Sequence, residues 1–364
     1  MLRNVPRSLL LLVALAVAAL LQPADAQRAG FAAQIAELSE PPGYFDTDNL
    51  ISNERSYLDV VPALRALPAG GAYIGVGPDQ NFTYIAATRP AVAFIVDVRR
   101  DNLLLHLLFK ALFQLSASRG EYLALLFGRA PPPADSSQPN GAALEHIVRH
   151  VQSARVDRGF VARTRGRVEK AIAAFGVPLA KADWSTIASF HDRFIEAGLD
   201  LQFQSTGRPP QSHYPTYREL LLARDANGTQ ASYLGSDDAF LFVKGLQARD
   251  LVVPVVGDLS GPAAVARIGA ALERRGVRLS AFYVSNVEFY LFGDGTFPQF
   301  AANLRRVPHT PRSVVVRSVF GRYSGFGRGS TSHVHGISAL IDAFDGRRIR
   351  TYRDLLDAQD SIAR

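Results

Sequence analysis

The chain has 364 residues, 48% of them hydrophobic, and a formal charge of +7. It contains no Cys, and its one Met is Met1, which excludes disulfides, cysteine-bound metals and a thiol nucleophile. The basic residues are scattered, with short pairs at Arg99-Arg100, Arg305-Arg306 and Arg347-Arg348. They form no basic stripe interleaved with aromatics, which argues against a nucleic-acid partner and reads as a solvated basic surface.

Residues 1–26 have the three parts of a secretory signal peptide. Arg3 and Arg7 give a positive start, residues 9–21 are an unbroken apolar run, and Ala24-Asp25-Ala26 is a small-residue cleavage site. The run is shorter than the roughly 20 residues of a membrane span. The expectation is an exported protein, periplasmic or secreted, that begins at Gln27 and keeps no stable membrane span. An uncleaved anchor is the alternative. Residues 27–364 are enough for a large core and are read as a single domain.

After a short helix at 31–38 and a second at 57–67, residues 72–76 form an apolar strand. A tight turn at 77–80 leads into a helix at 81–88, and residues 92–96 are a second apolar strand ended by Asp97. A strong helix follows at 102–115. Two continuously apolar strands joined through a helix form a βαβ unit of a parallel sheet covered on both faces. Residues 130–140 are rich in Pro and Ser and predict an exposed loop. Helical patterns at 141–197 predict a helical insertion spanning about 120–198.

Further strands are expected at 199–204, 251–256, 279–286 and 313–320, with helices at 236–247, 262–275 and 297–306. Residues 321–336 hold five Gly and predict a mobile loop before two terminal helical segments. The fold class is therefore α/β, a Rossmann-like three-layer sandwich with a mostly parallel central sheet.

In open α/β sheets ligands bind at the carboxyl ends of the strands, near the switch in strand order. The first such end carries Gly75-Val76-Gly77, where glycine lets the backbone approach a ligand. Asp97 ends the second strand 22 positions after Gly75, and a carboxylate there can accept from both hydroxyls of a ribose. The bland alternative is a glycine turn for strand–helix packing and a simple strand-end acid. Asp258 follows one later strand, and Ser285-Asn286-Val287-Glu288 ends another. Asn286 or Glu288 fits a polar specificity group or a general base, or a plain strand-end cap. Glu54 lies in a segment placed to fold over the crevice; otherwise it is a first-turn helix acid favoured by the dipole.

His146 and His150 share a helix face, and His333 and His335 share a strand face if that stretch is extended. The first pair has no third ligand that the sequence names, the second reads as a surface or lid feature, and no metal is expected. No G-x-S-x-G elbow occurs, which disfavours an ordinary serine hydrolase.

Ile51-Ser52-Asn53-Glu54, the run from Gly75 to Phe82, the run from Asp97 to Leu104, Pro254 to Asp258 and Tyr283 to Glu288 together resemble a family of uncharacterised bacterial proteins. That family is similar to a divergent branch of the class I S-adenosylmethionine-dependent methyltransferase fold. The resemblance covers most of residues 27–364. It implies S-adenosylmethionine or another nucleoside as ligand, with Glu54, Gly75, Gly77, Asp79 and Asp97 as cofactor-binding residues. Asp258, Asn286 and Glu288 are then the catalytic candidates. Asp79 replaces the third glycine of a G-x-G-x-G loop, and the Asn/Asp-Pro-Pro-Tyr motif of amino-group methyltransferases is absent. Three readings follow: an exported methyltransferase-like protein with a small-molecule ligand, an exported binding protein that kept the fold without methyl transfer, and a cofactor-free hydrolase using Asp258, Glu288 and His333.

Overall fold

The structure, a computed structural model, describes residues 24–131, 143–208, 211, 213–324 and 329–360. The apolar run at 9–21 and most of the predicted 130–140 loop lie outside them. Helix α1 (Ala24–Leu38) spans the predicted cleavage site.

Continuous apolar runs become strands because both sheet faces are covered. β1 (Ala72–Val76) and β3 (Val252–Val256) are buried at every residue, and β2 (Val92–Asp97) at all but its last. β4 (Leu279–Ser285), β5 (His309–Phe320) and β6 (Ser330–Gly336) complete the sheet. The order is β3-β2-β1-β4-β5-β6. All neighbours run parallel except β5 and β6. Pro254 is tolerated inside β3 because β3 is an edge strand with one side free of ladder bonds.

Helices cover both faces. α2 (Val61–Arg65) precedes β1, and α3 (Gln80–Thr88) and α4 (Arg100–Leu115) follow β1 and β2. α5 (Arg119–Phe127), α6 (Leu144–Ser153), α7 (Arg158–Ala173), α8 (Lys181–Ala197), α9 (Tyr217–Leu222) and α10 (Asp237–Ala248) lie between β2 and β3 in sequence. α11 (Ala264–Arg275) joins β3 to β4. Beyond β4 come α12 (Val287–Gly293) and α13 (Phe297–Arg306), and beyond β6 α14 (Ile337–Asp345) and α15 (Tyr352–Asp360). Right-handed crossovers put α3 and α4 on one face and α11 and α13 on the other. The α-rich face is sealed by rings: Phe82 meets Phe109, Phe113 and Tyr233 edge-on at 5.2 to 5.8 Å, each buried ring contributing about 1.5–3 kcal/mol.

Two expectations fail. Residues 199–204 are not a sheet strand. A 3₁₀ turn, Gly198–Asp200, is followed by isolated bridges only, Gln202 to Thr216 and Ser205 to Thr47. Its alternating Leu199, Leu201 and Phe203 bury instead in the core; the edge of β2 that a third strand would need is taken by β3. The glycine-rich stretch also departs from a mobile loop. Its second half is β6, whose seven residues pair with β5 from Ser330 opposite Phe320 to Gly336 opposite Val314. Short polar side chains suit an edge strand, so backbone pairing rather than apolar patterning defines it.

The loop between β3 and α11 is fixed from afar. Glu40, just past α1, accepts at Oε1 from the backbone of Ala263 at 2.5 Å and Ala264 at 2.7 Å, and at Oε2 from Asp258 at 3.2 Å. It caps a helix start that has no side-chain cap of its own. Glu40→Ala is therefore expected to lower unfolding free energy by about 1–2 kcal/mol in urea titrations, with Glu40→Gln losing less.

Candidate ligand crevice at the strand ends

The carboxyl ends of β1 to β5 open into one cavity of about 1120 Å³. It lies where β1 separates β2 from β4, the point at which the strand order reverses. Side chains from 44–54, together with Phe203, Ser205, Arg208, His213 and Tyr214, supply further walls.

The turn after β1 is braced from beneath. The Asn81 amide donates to the carbonyls of Val76 at 2.8 Å, Gly77 at 3.3 Å and Pro78 at 2.7 Å, and its Oδ1 accepts from the Tyr73 hydroxyl at 2.8 Å. His106 Nε2 contacts the Gly77 carbonyl at 2.9 Å; a carbonyl only accepts, so Nε2 carries the proton. Burial pushes His106 down to about 4, which keeps the ring neutral. Gly77 lines the cavity at φ +79°, a conformation that favours glycine. Gly75 is not among the lining residues. A Cβ there would lie 1.9 Å from Asn81 Oδ1 and 2.5 Å from the Tyr73 hydroxyl, so this glycine makes room for the brace rather than for a ligand.

The acids part company. Asp79 starts α3 but is buried away from the cavity, where it accepts from the hydroxyls of Tyr217 and of Tyr233, the latter at 3.1 Å. Desolvation pushes it up to about 6. Asp97 lines the crevice, yet Arg99 holds it. Oδ1 accepts from the Arg99 backbone at 2.9 Å and from Nε at 3.0 Å, while Oδ2 accepts from Nη2 at 2.8 Å. Three of its four lone-pair positions are filled.

Glu54 also lines the crevice although it is only 1% exposed. Its Oε1 accepts from Tyr283 at 2.7 Å and Ser285 at 2.5 Å, and its Oε2 from Gln80 at 2.8 Å. Ser285 sits at φ +51° between β4 and α12, an uncommon conformation for a non-glycine residue. Asp258 and Asn286 line the crevice too, with Asp258 Oδ1 accepting from Ser260 N at 2.7 Å and its hydroxyl at 2.8 Å. Glu288 does not. It is buried in a two-bond ion pair with Arg317 at 2.5 and 3.1 Å.

The crevice thus unites Glu54, Gly77, Asp97, Asp258 and Asn286, and leaves out Gly75, Asp79 and Glu288. The hydrolase set does not assemble as foreseen, since Glu288 is spent on Arg317 and His333 Nε2 is 3.0 Å from Thr331 Oγ1. His335 Nδ1 meets Arg317 at 3.1 Å, and His150 Nε2 meets the Ala130 carbonyl at 3.1 Å. Among the described residues no three His, Asp or Glu side chains gather as metal ligands do. Arg99 and the ring-bearing wall of Phe289 and Tyr290 were not anticipated, and Ser285, expected only as part of a strand end, holds Glu54. Arg99 was legible as an acid's neighbour two residues on; the rings of a seven-residue helix carry no periodic signal.

Two outcomes follow. Gly75→Ala should cost about 1–3 kcal/mol by overpacking, read as a lower urea midpoint at an unchanged slope. Asp79→Asn tests the buried acid. A carboxyl whose folded value is raised costs stability when ionised, so the variant should be the more stable form above pH 6, by up to about 3 kcal/mol. That advantage should shrink as pH falls through about 6 and vanish near the ordinary value of 3.8. Paired thermal melts from pH 8 to 4 measure it.

No curated protein matches the chain. A family described as Domain of unknown function (DUF7790) matches residues 49–172 and 203–343. The matched segments hold all six strands, the braced turn and each of the five united crevice residues, and the gap between them removes α8. With well over half its length matched, the chain belongs to the family described as Domain of unknown function (DUF7790).

Proposed function

We propose that the chain is a methyltransferase-like protein whose crevice binds S-adenosylmethionine or another nucleoside. The observation that carries this reading is the position of Gly77 and Asp97 on one wall at the reversal of strand order, where this class of sheet receives nucleotides. A Cβ at Gly77 would fill part of that wall, 3.2 Å from Asn49 Nδ2. The cavity exceeds the usual range of about 300–1,000 Å³ for a small-molecule pocket, which leaves room for a second ligand.

The cofactor, when bound, supplies the methyl group. The chain's part is to present the Gly77 backbone and the Asp97 carboxylate, to orient a second ligand with Asp258 and Asn286, and to limit water under residues 44–54. Ribose recognition requires Arg99 to turn away from Asp97. That clamp favours a second reading, a crevice that binds a small molecule without a ribose. The predicted export adds a condition, because a nucleoside must then be bound before transit or supplied outside the cytoplasm.

Calorimetry of the full chain with S-adenosylmethionine and S-adenosylhomocysteine tests the first reading. Binding is expected, with Asp97→Ala weakening it at least about tenfold and Arg99→Ala leaving it equal or tighter. No binding of either compound at millimolar concentration sinks the nucleoside reading. Mass spectrometry of small molecules that copurify then addresses the second.

A further inference from the structure

The crevice carries more carboxylate than cation. Asp46, Glu54, Asp97, Asp258 and Asp294 line it beside two guanidiniums, Arg99 and Arg208, and His213. Both guanidiniums are engaged, Arg99 with Asp97 at 2.8 Å and Arg208 with Asp46 at 2.6 Å. Among the described residues Glu54, Asp258 and Asp294 have no ion pair. Glu54 stands apart because it is buried. A carboxylate removed from water is costly without a cation, and its three donors are all neutral. This negative surplus sits in a chain whose overall charge is +7, so it is a local feature and not a reflection of composition.

The mouth of the same crevice is aromatic. Of the six exposed large hydrophobic side chains among the described residues, Tyr44, Phe45, Phe289 and Tyr290 are at this one place. Phe45 meets Tyr290 edge-on at 5.0 Å, and Phe289 meets Tyr352 at 5.4 Å. Rings gathered in the open around a cavity mark a binding surface. The two features share one short segment. Ser285, bonded to Glu54, is followed within five residues by Phe289 and Tyr290.

We propose that the crevice takes an organic cation, an alkylated ammonium whose charge is balanced by Glu54 and whose alkyl groups lie against the rings of the mouth. Ring faces attract such a centre, and a buried carboxylate attracts it further. A neutral sugar or aromatic would use the rings but leave Glu54 without a counter-charge. The proposal rests on the crevice being a ligand site and does not depend on the nucleoside assignment.

The test is calorimetry of the full chain with choline and benzyltrimethylammonium, against 3,3-dimethylbutan-1-ol, in which an uncharged tert-butyl group replaces trimethylammonium. The cations are expected to bind at least about tenfold more tightly than the alcohol. Glu54→Gln should erase that preference. Phe289→Ala and Tyr290→Ala, at exposed rings, should each weaken cation binding about threefold or more. Circular dichroism checks each fold, and the ring variants decide if Glu54→Gln does not fold. Equal affinity for cation and alcohol, no binding at millimolar concentration, or cation binding unchanged in the ring variants overturns the proposal. Binding of S-adenosylhomocysteine without any cation preference would leave the nucleoside reading standing alone; cation binding without it would do the reverse.

Discussion

One amide side chain organises the centre of this protein. Asn81 donates to three successive carbonyls, those of Val76, Gly77 and Pro78, and accepts from Tyr73 in the strand they leave. A parallel strand buried on both faces must release its chain sharply at the carboxyl end, and the released carbonyls point where no ladder can pair them. Unpaired they would cost about 1–3 kcal/mol each. Asn81 pairs them from the first turn of α3, so the helix that follows the strand also fixes the turn between them. The absence of a Cβ at Gly75 is a consequence, since the brace occupies that space. His106, from α4 behind β2, adds a donor to the Gly77 carbonyl. Strand, turn and two helices are thereby locked around the one backbone segment that faces the crevice.

Much of this was readable from residue order alone. The apolar runs of β1, β2, β3 and β4 announce a parallel sheet because burial on both faces removes alternation. The position of the crevice follows from that sheet. What residue order hides is direction. Gly75 and Gly77 are two positions apart, yet one faces Asn81 and the other faces the cavity. Asp97 ends one strand and Asp79 follows another, yet Asp79 turns under α3 into a nest of tyrosines. Glu288 sits two residues beyond Asn286 and is claimed by Arg317, 29 residues later. Such outcomes depend on partners distant in sequence, so no local spacing encodes them. β6 was hidden for the opposite reason. An edge strand of Ser, Thr and His is held by backbone pairing, which leaves little mark on side-chain pattern.

The acids of the crevice sort by how their charge is met. Asp97 and Asp46 have guanidiniums, Asp258 has exposure and the Ser260 donors, and Glu54 has hydroxyls and an amide but no cation. Only the last combination joins burial to a set of donors that are all neutral. Hydrogen bonds from Tyr283, Ser285 and Gln80 hold the carboxylate still, and the positive φ of Ser285 is part of that arrangement because it turns the hydroxyl toward Glu54 at the start of α12. Backbone strain of this kind costs of order 1–3 kcal/mol and persists where surrounding contacts enforce it. Here they do, through β4 on one side and the rings of α12 on the other.

Two parts of the crevice wall share one guanidinium. Arg99 fills Asp97 and, through Nη1, also donates to the Thr47 carbonyl at 2.8 Å. Thr47 belongs to the segment that carries Tyr44 and Phe45 at the mouth, and it is bridged to Ser205, which also lines the crevice. An Arg99 side chain that swings away from Asp97 also leaves Thr47. The Asp97 carboxylate and the segment whose Phe45 packs on Tyr290 are therefore held by the same side chain. The Asp97 carboxylate, the Thr47 carbonyl and, through its segment, the Phe45–Tyr290 contact are thus tied together by this one guanidinium.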